Sequence, residues 1–102
     1  MASVYIPSPL RRLTGGRGQT ASAARSIREM LDDLERQFPG MKAELCDERG
    51  DVRSFINTFV NGTEIRQLRG LDTPLADADE VSIIPAMAGG LFTMEMSAWP
   101  EE

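Results

Sequence analysis

Residues 53–66 read Arg-Ser-Phe-Ile-Asn-Thr-Phe-Val-Asn-Gly-Thr-Glu-Ile-Arg, and this stretch predicts a β-hairpin. The segment from Phe55 to Val60 is rich in aromatic and β-branched residues, which favour strands. Asn61-Gly62 is a strong short hairpin signal, because both positions tolerate the positive φ angles of a tight turn. We therefore predict a strand over Phe55–Val60 that returns through residues 63–65.

A further strand signal lies downstream, where residues 79–90 read Asp-Glu-Val-Ser-Ile-Ile-Pro-Ala-Met-Ala-Gly-Gly. The β-branched run predicts a last strand from Glu80 to Ile84. Pro85 should end it, because proline has no N–H to donate to a sheet ladder. The residues that follow are small, and Gly89-Gly90 has no side chain to keep an extended chain out of a narrow tunnel. The pair is either a reactive thread or an ordinary flexible loop.

The N-terminal half predicts two strands and one main helix. The strands are Ser3–Ile6 and Gln19–Ala24, and a Gly-rich loop from Arg11 to Gly18 joins them. The sequence Ser-Ile-Arg-Glu from Ser26 has capping-box spacing and opens the helix, which Pro39-Gly40 ends. The apolar stripe expected to face the core consists of Ile27, Met30, Leu31, Leu34 and Phe38.

These elements predict an α+β fold. A short turn of helix and a loop are expected between residues 41 and 51. One helix laid across one face of a mixed sheet is the β-grasp, or ubiquitin-like, arrangement. At 102 residues the chain has the size of one domain. We place the folded domain at residues 1–88, a Gly-Gly thread at 89–90 and a C-terminal tail at 91–102.

Composition argues against an enzyme. The chain has no His and one Cys, Cys46, which excludes His-based acid–base catalysis, a Ser-His or Cys-His nucleophile and an ordinary zinc site. The charges of Asp47 and Glu48 should raise the thiol pKa, so Cys46 is expected to be an inert, semi-buried residue. We predict no catalytic residues and no metal site.

The net charge of −5 is unevenly distributed. Arg69 is the last basic residue, and every charged residue after it is acidic. This distribution disfavours nucleic acid and anionic membranes as partners, and it favours another protein. No apolar run approaches the roughly 20 residues that span a bilayer, and no signal-peptide pattern is present, so we expect a cytoplasmic protein.

The joined motifs resemble the MoaD/ThiS family of sulfur carriers, and within it most closely the cysteine-biosynthesis type. Together they are more specific than any one alone. The resemblance is densest from Arg53 to Gly90 and leaves residues 91–102 outside it. The motifs are Phe59-Val60-Asn61-Gly62, Gly70-Leu71-Asp72-Thr73-Pro74-Leu75, Gly89-Gly90, and a first loop with Ser8-Pro9-Leu10 and Thr14-Gly15-Gly16.

The resemblance implies a role for the C-terminal thread of Ala88, Gly89 and Gly90. A ubiquitin-activating-like adenylyltransferase/sulfurtransferase would use ATP to adenylate the Gly90 carboxylate. Sulfur would then replace AMP to give a thiocarboxylate, and a sulfur-acceptor biosynthetic enzyme would use it. The carrier itself would bind no cofactor and would carry its sulfur covalently at Gly90.

The sequence departs from the family pattern after Gly90. Residues 91–102 hold the Gly90 carboxyl group in a peptide bond, and an amide cannot be adenylated in this way. Some family members are trimmed by JAMM-type zinc metalloproteases, so the resemblance implies a processing site between Gly90 and Leu91. The alternatives are an expression remnant or an extra edge strand, because Phe92, Met94 and Met96 alternate with other residues.

Two other functions stay open beside the precursor of a sulfur carrier for cysteine or another small metabolite. One is the small subunit of molybdopterin synthase, and the other is a ubiquitin-like protein modifier joined through Gly90 to lysines. For any of them, a partner is expected on the sheet face that the helix leaves uncovered. Phe59 and Ile83 are the candidate docking residues, although alternation does not assign either side chain to a face.

Overall fold

A computed structural model describes residues 1–85, which form five strands and two α-helices. The strands are β1 (Ala2–Tyr5), β2 (Gln19–Ser22), β3 (Ile56–Val60), β4 (Thr63–Glu64) and β5 (Glu80–Pro85), and the helices are α1 (Ile27–Gln37) and α2 (Met41–Leu45). Each predicted element is present, with ends within two residues of the prediction. The predicted loop over residues 11–18 differs, because its first part belongs to a 3₁₀ helix over Ser8–Leu13.

The five strands form one mixed sheet in the order β2-β1-β5-β3-β4. β1 and β5 pair in parallel, and the other neighbours are antiparallel. α1 packs on one face of this sheet, so the predicted β-grasp fold is confirmed. The buried apolar residues of the core are Val4, Ile6, Leu10, Ile27, Met30, Leu31, Leu34, Phe38, Met41, Leu45, Cys46, Ile56, Val60, Ile65, Leu75, Val81 and Ile83.

The predicted turn between β3 and β4 is confirmed, with φ angles of 51° at Asn61 and 89° at Gly62. The Asn61 side chain also ties this turn to the start of β5. Its Nδ2 donates to Asp79 Oδ1 at 3.1 Å, and its Oδ1 accepts the Glu80 N–H at 2.9 Å. One residue therefore closes the hairpin and fixes the position of the strand that leads to the C-terminal segment.

β5 runs one residue further than predicted, because Pro85 still lies opposite Ile56. The Asp79 carbonyl faces β1 and accepts the Ser3 N–H at 2.9 Å. Alternate residues of a strand direct their backbone groups to the same side, so Pro85 turns its nitrogen towards β1. β1 has already ended at Tyr5. The missing N–H of Pro85 therefore costs no ladder hydrogen bond, and the prediction that the strand ends before it is wrong by one residue.

The start of α1 follows the predicted capping pattern with one change. Ser26 Oγ accepts the Glu29 N–H at 3.2 Å, as expected. Glu29 Oε1 accepts the N–H of Arg25 at 3.1 Å, whereas a capping box would use the N–H of Ser26. At the other end the helix stops before Gly40, whose φ of 100° is one that other residues rarely adopt.

Two carboxylates on the polar side of α1 hold neighbouring elements. Glu35 accepts the N–H groups of Gly40 at 3.2 Å and Lys42 at 2.9 Å, and so caps the start of α2. Asp33 Oδ2 accepts the hydroxyl of Ser22, a buried β2 residue, at 2.7 Å. Both residues lie opposite the apolar stripe, where the helical pattern predicts a solvated side, and both instead hold a neighbouring element in place.

Asp33 should make the stability depend on pH. The Ser22 hydrogen bond, with help from Gln37 and Arg36, lowers the pKa of Asp33 despite the opposing effect of burial. A carboxyl whose pKa is lowered by folding stabilises the protein above its ordinary pKa, and it loses that effect as pH falls through the folded pKa. Ser22→Ala should lower the free energy of unfolding by about 1–2 kcal/mol at neutral pH.

Urea unfolding of the unmodified protein and of Ser22→Ala, across the acidic range, tests this expectation. The difference between the two proteins should shrink as Asp33 becomes protonated. A difference that is the same at neutral and strongly acidic pH would show that the Asp33 charge contributes nothing.

Candidate functional site

The sheet face opposite α1 carries a small apolar surface centred on β5. Tyr5 of β1 and Phe59 of β3 both lie opposite Ser82 of β5. Neighbouring strands are about 4.8 Å apart, so the small Ser82 side chain lies between two aromatic ones. Ile84 follows two residues along β5 and therefore points to the same face. We refer to Tyr5, Phe59, Ser82 and Ile84 as the outer-face patch.

The outer-face patch is open to solvent. Tyr5 is 38% exposed and Ile84 is 49% exposed, while Phe59 and Ser82 are half-buried. Large exposed apolar side chains that lie together, as opposed to singly, are typical of interaction surfaces. The arrangement suits contact with another protein surface.

The structure separates the two predicted docking residues. Phe59 lies on the outer face, within the patch. Ile83 is 3% exposed and belongs to the core on the α1 side, so it is not available for docking. Its neighbour Ile84 takes the outward position, because side chains alternate between the two faces of a strand.

The outer-face patch adjoins the point where the described chain leaves the sheet. Ile84 lies opposite Asn57, and Pro85 lies opposite Ile56 at the start of β3. The predicted thread would continue from this edge. Its residues Ala88, Gly89 and Gly90, and the predicted processing site between Gly90 and Leu91, lie outside the described residues.

Arg66 fixes the start of β3, next to the point where the described chain leaves the sheet. Its Nη2 donates to the carbonyls of Arg53 at 3.0 Å and Ile56 at 3.1 Å, and its Nη1 donates to Asn57 Oδ1 at 3.3 Å. Arg66 also lines a shallow hollow together with Phe55, which is 50% exposed. A guanidinium with several fixed acceptors is well suited to hold a bend in place.

Sequence reasoning missed Tyr5, Ile84 and Arg66 as residues of this region. A signal for Ile84 was present, because Ser82 is polar and lies between two β-branched residues. Placing Ser82 outward puts Val81 and Ile83 in the core and Ile84 outside. No comparable pattern marks Tyr5 or Arg66.

Cys46 has the properties of a packed residue and not of a nucleophile. It is 4% exposed, and burial is the main reason why its pKa is raised, with a smaller contribution from Asp47. Among residues 1–85 no group of three or more His, Cys, Asp or Glu side chains could hold a metal ion. The helices within the same range lack the length and the apolar character of a membrane-spanning helix.

Known proteins from several organisms resemble this chain, and three examples follow. The sulfur carrier protein CysO of Mycobacterium tuberculosis is 37% identical over 90 residues, which cover 86% of this chain and 97% of that protein. A chain of the Amycolatopsis orientalis BexX/CysO complex matches with a TM-score of 0.83 at 37% identity, over 88% of this chain and 100% of that chain. Small archaeal modifier protein 3 of Haloferax volcanii is 35% identical over 65 residues, which cover 64% of this chain and 70% of that protein.

The model of the ThiS family matches residues 4–90, which include the second half of β1, the outer-face patch and the Gly-Gly pair. The similar proteins are small protein carriers and not enzymes. The described fold, with one main helix on a mixed five-stranded sheet, agrees with this match. The chain therefore belongs to the ThiS family of ubiquitin-like sulfur-carrier proteins.

Proposed function

We propose that the protein is the precursor of a sulfur carrier whose Gly90 becomes a thiocarboxylate after residues 91–102 are removed. The observation that supports this most strongly is that the family match runs through Gly90 and stops there. The sulfur is used in the biosynthesis of cysteine or another small metabolite.

The chemistry requires a free carboxylate at Gly90. That carboxylate attacks the α-phosphorus of ATP on an activating partner, and pyrophosphate leaves as the acyl-adenylate forms. A sulfur nucleophile then attacks the Gly90 carbonyl carbon, and AMP leaves with the bonding electrons. The resulting thiocarboxylate gives its sulfur to an acceptor held by a second enzyme.

The outer-face patch is the proposed docking surface for the activating partner. It lies beside the strand end from which the Gly-Gly thread continues, so a partner that covers Ile84 also has the thread within reach. The BexX/CysO complex is a precedent for a protein partner of a similar carrier. The partner is a ubiquitin-activating-like adenylyltransferase/sulfurtransferase.

Tail removal is the proposed first step. A zinc metalloprotease of the JAMM type cleaves the peptide bond between Gly90 and Leu91. The zinc of such an enzyme would activate a water molecule, which would supply the second oxygen of the Gly90 carboxylate while Leu91 leaves as a free amine. This step turns an unreactive amide into the group that ATP activates.

Intact-mass analysis of the protein purified from its native host tests the proposal. We expect a species that ends at Gly90 and in which one carboxylate oxygen is replaced by sulfur. A host population that keeps all 102 residues, under conditions in which the processing protease and the activating partner are both present and active, would contradict it.

A protein modifier is the second candidate function. The similarity to small archaeal modifier protein 3 of Haloferax volcanii favours it. The same native preparation distinguishes the two functions. Conjugates in which Gly90 is joined to lysines of other proteins by isopeptide bonds would support the modifier, and a free thiocarboxylate would support the carrier.

A further inference from the structure

Lys42, on α2, is the only lysine of the chain. Of the 11 basic residues, the other ten are Arg. An Arg guanidinium stays protonated in proteins, whereas the ε-amine of a lysine can lose its proton and accept an acyl group. The proposed chemistry at Gly90 produces an activated acyl group on this same protein, so the surroundings of Lys42 decide whether that group is lost to a second copy.

Two carboxylates of α1 hold Lys42, one at its backbone and one at its amine. The Lys42 N–H donates to Glu35 Oε1 at 2.9 Å, and its Nζ donates to Asp32 Oδ1. Asp32 and Glu35 are three residues apart and therefore lie on the same side of α1. The backbone contact fixes the point where the lysine side chain leaves α2, so less freedom is lost when the amine meets Asp32.

This ion pair favours the protonated form of the amine. The hydrogen bond to Asp32 raises the pKa of Lys42, while burial opposes the rise and the charges of Asp32 and Glu35 add to it. Only the neutral amine has a lone pair for attack on a carbonyl carbon. The pair with Asp32 therefore reduces the reactive fraction of the amine at neutral pH, although the Lys42 side chain is 40% exposed and small reagents can reach it.

The hollow beside Lys42 adds further negative charge. Its lining includes Glu35, Cys46, Asp47 and Glu48, three of which are carboxylates. Acyl phosphates and acyl-adenylates are anions, and nearby carboxylates disfavour the approach of an anion. Both the protonation of the amine and the charge around it therefore oppose acylation.

We propose that Lys42 is an acyl-acceptor site whose reaction with activated acyl groups is restrained by Asp32. In that reaction the neutral Lys42 amine forms a C–N bond to the acyl carbon, the C–O bond to phosphate or AMP breaks, and the leaving group takes the bonding electrons. The amine nitrogen gives its extra proton to water. The consequence that an activated Gly90 is spared from a second copy rests on the proposed function, whereas the restraint itself does not.

The first test acetylates the 102-residue protein with acetyl phosphate at neutral pH. Asp32→Asn removes the charge and keeps the size of the side chain. Exposed ion pairs shift equilibria by up to about fivefold, so we expect acetylation of Lys42 to rise about two- to fivefold, measured by peptide mass spectrometry. The amino group of Met1, which pairs with Asp77 at 3.1 Å, is the internal reference and should react equally in both proteins.

Glu44→Gln is the matched control. Glu44 lies on the same helix and pairs with Arg12 at 3.3 Å, so its removal changes the net charge equally without touching the Lys42 pair. Acetylation of Lys42 should stay unchanged in this variant. The pH dependence of the acetylation rate gives a second measurement, since the pKa of Lys42 should be lower in Asp32→Asn than in the unmodified protein.

The second test uses the chain truncated after Gly90, with the activating partner and ATP but without a sulfur source. Asp32→Asn should form several-fold more of the product in which Gly90 is joined to Lys42, and Lys42→Arg should form none. A truncated chain that is never adenylated would overturn the proposed function. The acetyl phosphate test needs no partner, so its result would still decide the role of Asp32.

Three results would overturn the proposal. The first is equal acetylation of Lys42 in the unmodified protein and in Asp32→Asn. The second is an equal rise in Asp32→Asn and Glu44→Gln, which would assign the effect to net charge and not to the ion pair. The third is a product joined through Gly90 to a second copy that persists in Lys42→Arg, which would place the acceptor elsewhere.

Discussion

A chain that ends at Gly90 should accept sulfur from its activating partner, and the 102-residue chain should accept none. The reason is chemical, because only the shorter chain offers a carboxylate at Gly90. In the 102-residue chain the carbonyl carbon of Gly90 is bonded to the nitrogen of Leu91. The carbonyl group is therefore part of an amide, which offers no carboxylate for ATP to activate. With the cognate activating enzyme, ATP and a sulfide source, intact-mass analysis should show oxygen replaced by sulfur in the truncated protein alone.

Two control proteins separate the chemical cause from a steric one. A truncated chain with a carboxamide at Gly90 has no tail, and it should still fail to load because it lacks the carboxylate. A chain truncated after Ala88 has a carboxylate but a thread two residues shorter, and it should load poorly if the activation cleft requires the Gly-Gly pair. Loading of the uncut chain would show that the reactive group lies elsewhere.

A bulky residue at position 90 should impair both enzymatic steps. Gly90→Leu adds a side chain to a thread that is expected to enter narrow clefts in the protease and in the activating partner. We expect slower tail removal from the uncut chain and weaker loading of the truncated one. Unchanged rates in both assays would contradict a narrow cleft in either partner.

The β-grasp fold follows from local signals that agree with each other. Asn61-Gly62 predicts a turn that the φ angles confirm, and the helical stripe from Ile27 to Phe38 is buried as expected. Ser26 and Pro39-Gly40 mark the helix ends within one residue. Each of these signals acts over a few residues, which is why the sequence alone is sufficient to predict them.

The faces of the sheet were harder to predict, because two strands depart from simple alternation. In β3 the polar Thr58 is 2% exposed, while the aromatic Phe59 lies on the outer face. In β5 two isoleucines are adjacent, so hydrophobicity alone does not show which one points inward. Tertiary packing on α1 decides both cases, and that information is not local.

Polar contacts between distant elements were also beyond the sequence pattern. Asp33 and Glu35 look like solvated helix positions, yet one accepts from Ser22 and the other from the start of α2. Arg66 holds carbonyls of the bend before β3, a role that depends on how the chain folds between residues 53 and 66. Such contacts follow only once the strands are placed in three dimensions.

The adjacent isoleucines of β5 provide the strongest test of the two faces. Ile83→Asp should lower the free energy of unfolding by about 4 kcal/mol or more, because it places a carboxylate in an apolar core without a partner. The total stability of a domain of this size is about 5–15 kcal/mol, so a large unfolded fraction is expected. Circular dichroism with urea unfolding measures this effect.

Ile84→Asp is the matched variant, with the same substitution one residue later and on the opposite face. The Ile84 side chain is 49% exposed, against 3% for Ile83, so the new carboxylate stays hydrated and the loss of stability should be about 1 kcal/mol or less.

Binding of the truncated Ile84→Asp chain to the activating partner should nevertheless weaken about tenfold or more, since a charge replaces an apolar side chain of the docking surface. Leu68 lies outside the patch and is 44% exposed, which is close to the exposure of Ile84. Leu68→Asp should therefore bind the activating partner normally. If Ile84→Asp and Leu68→Asp bound the partner equally well, the docking surface would have to lie on another part of the domain, whereas an unfolded Ile84→Asp would contradict the assignment of Ile84 to the outer face.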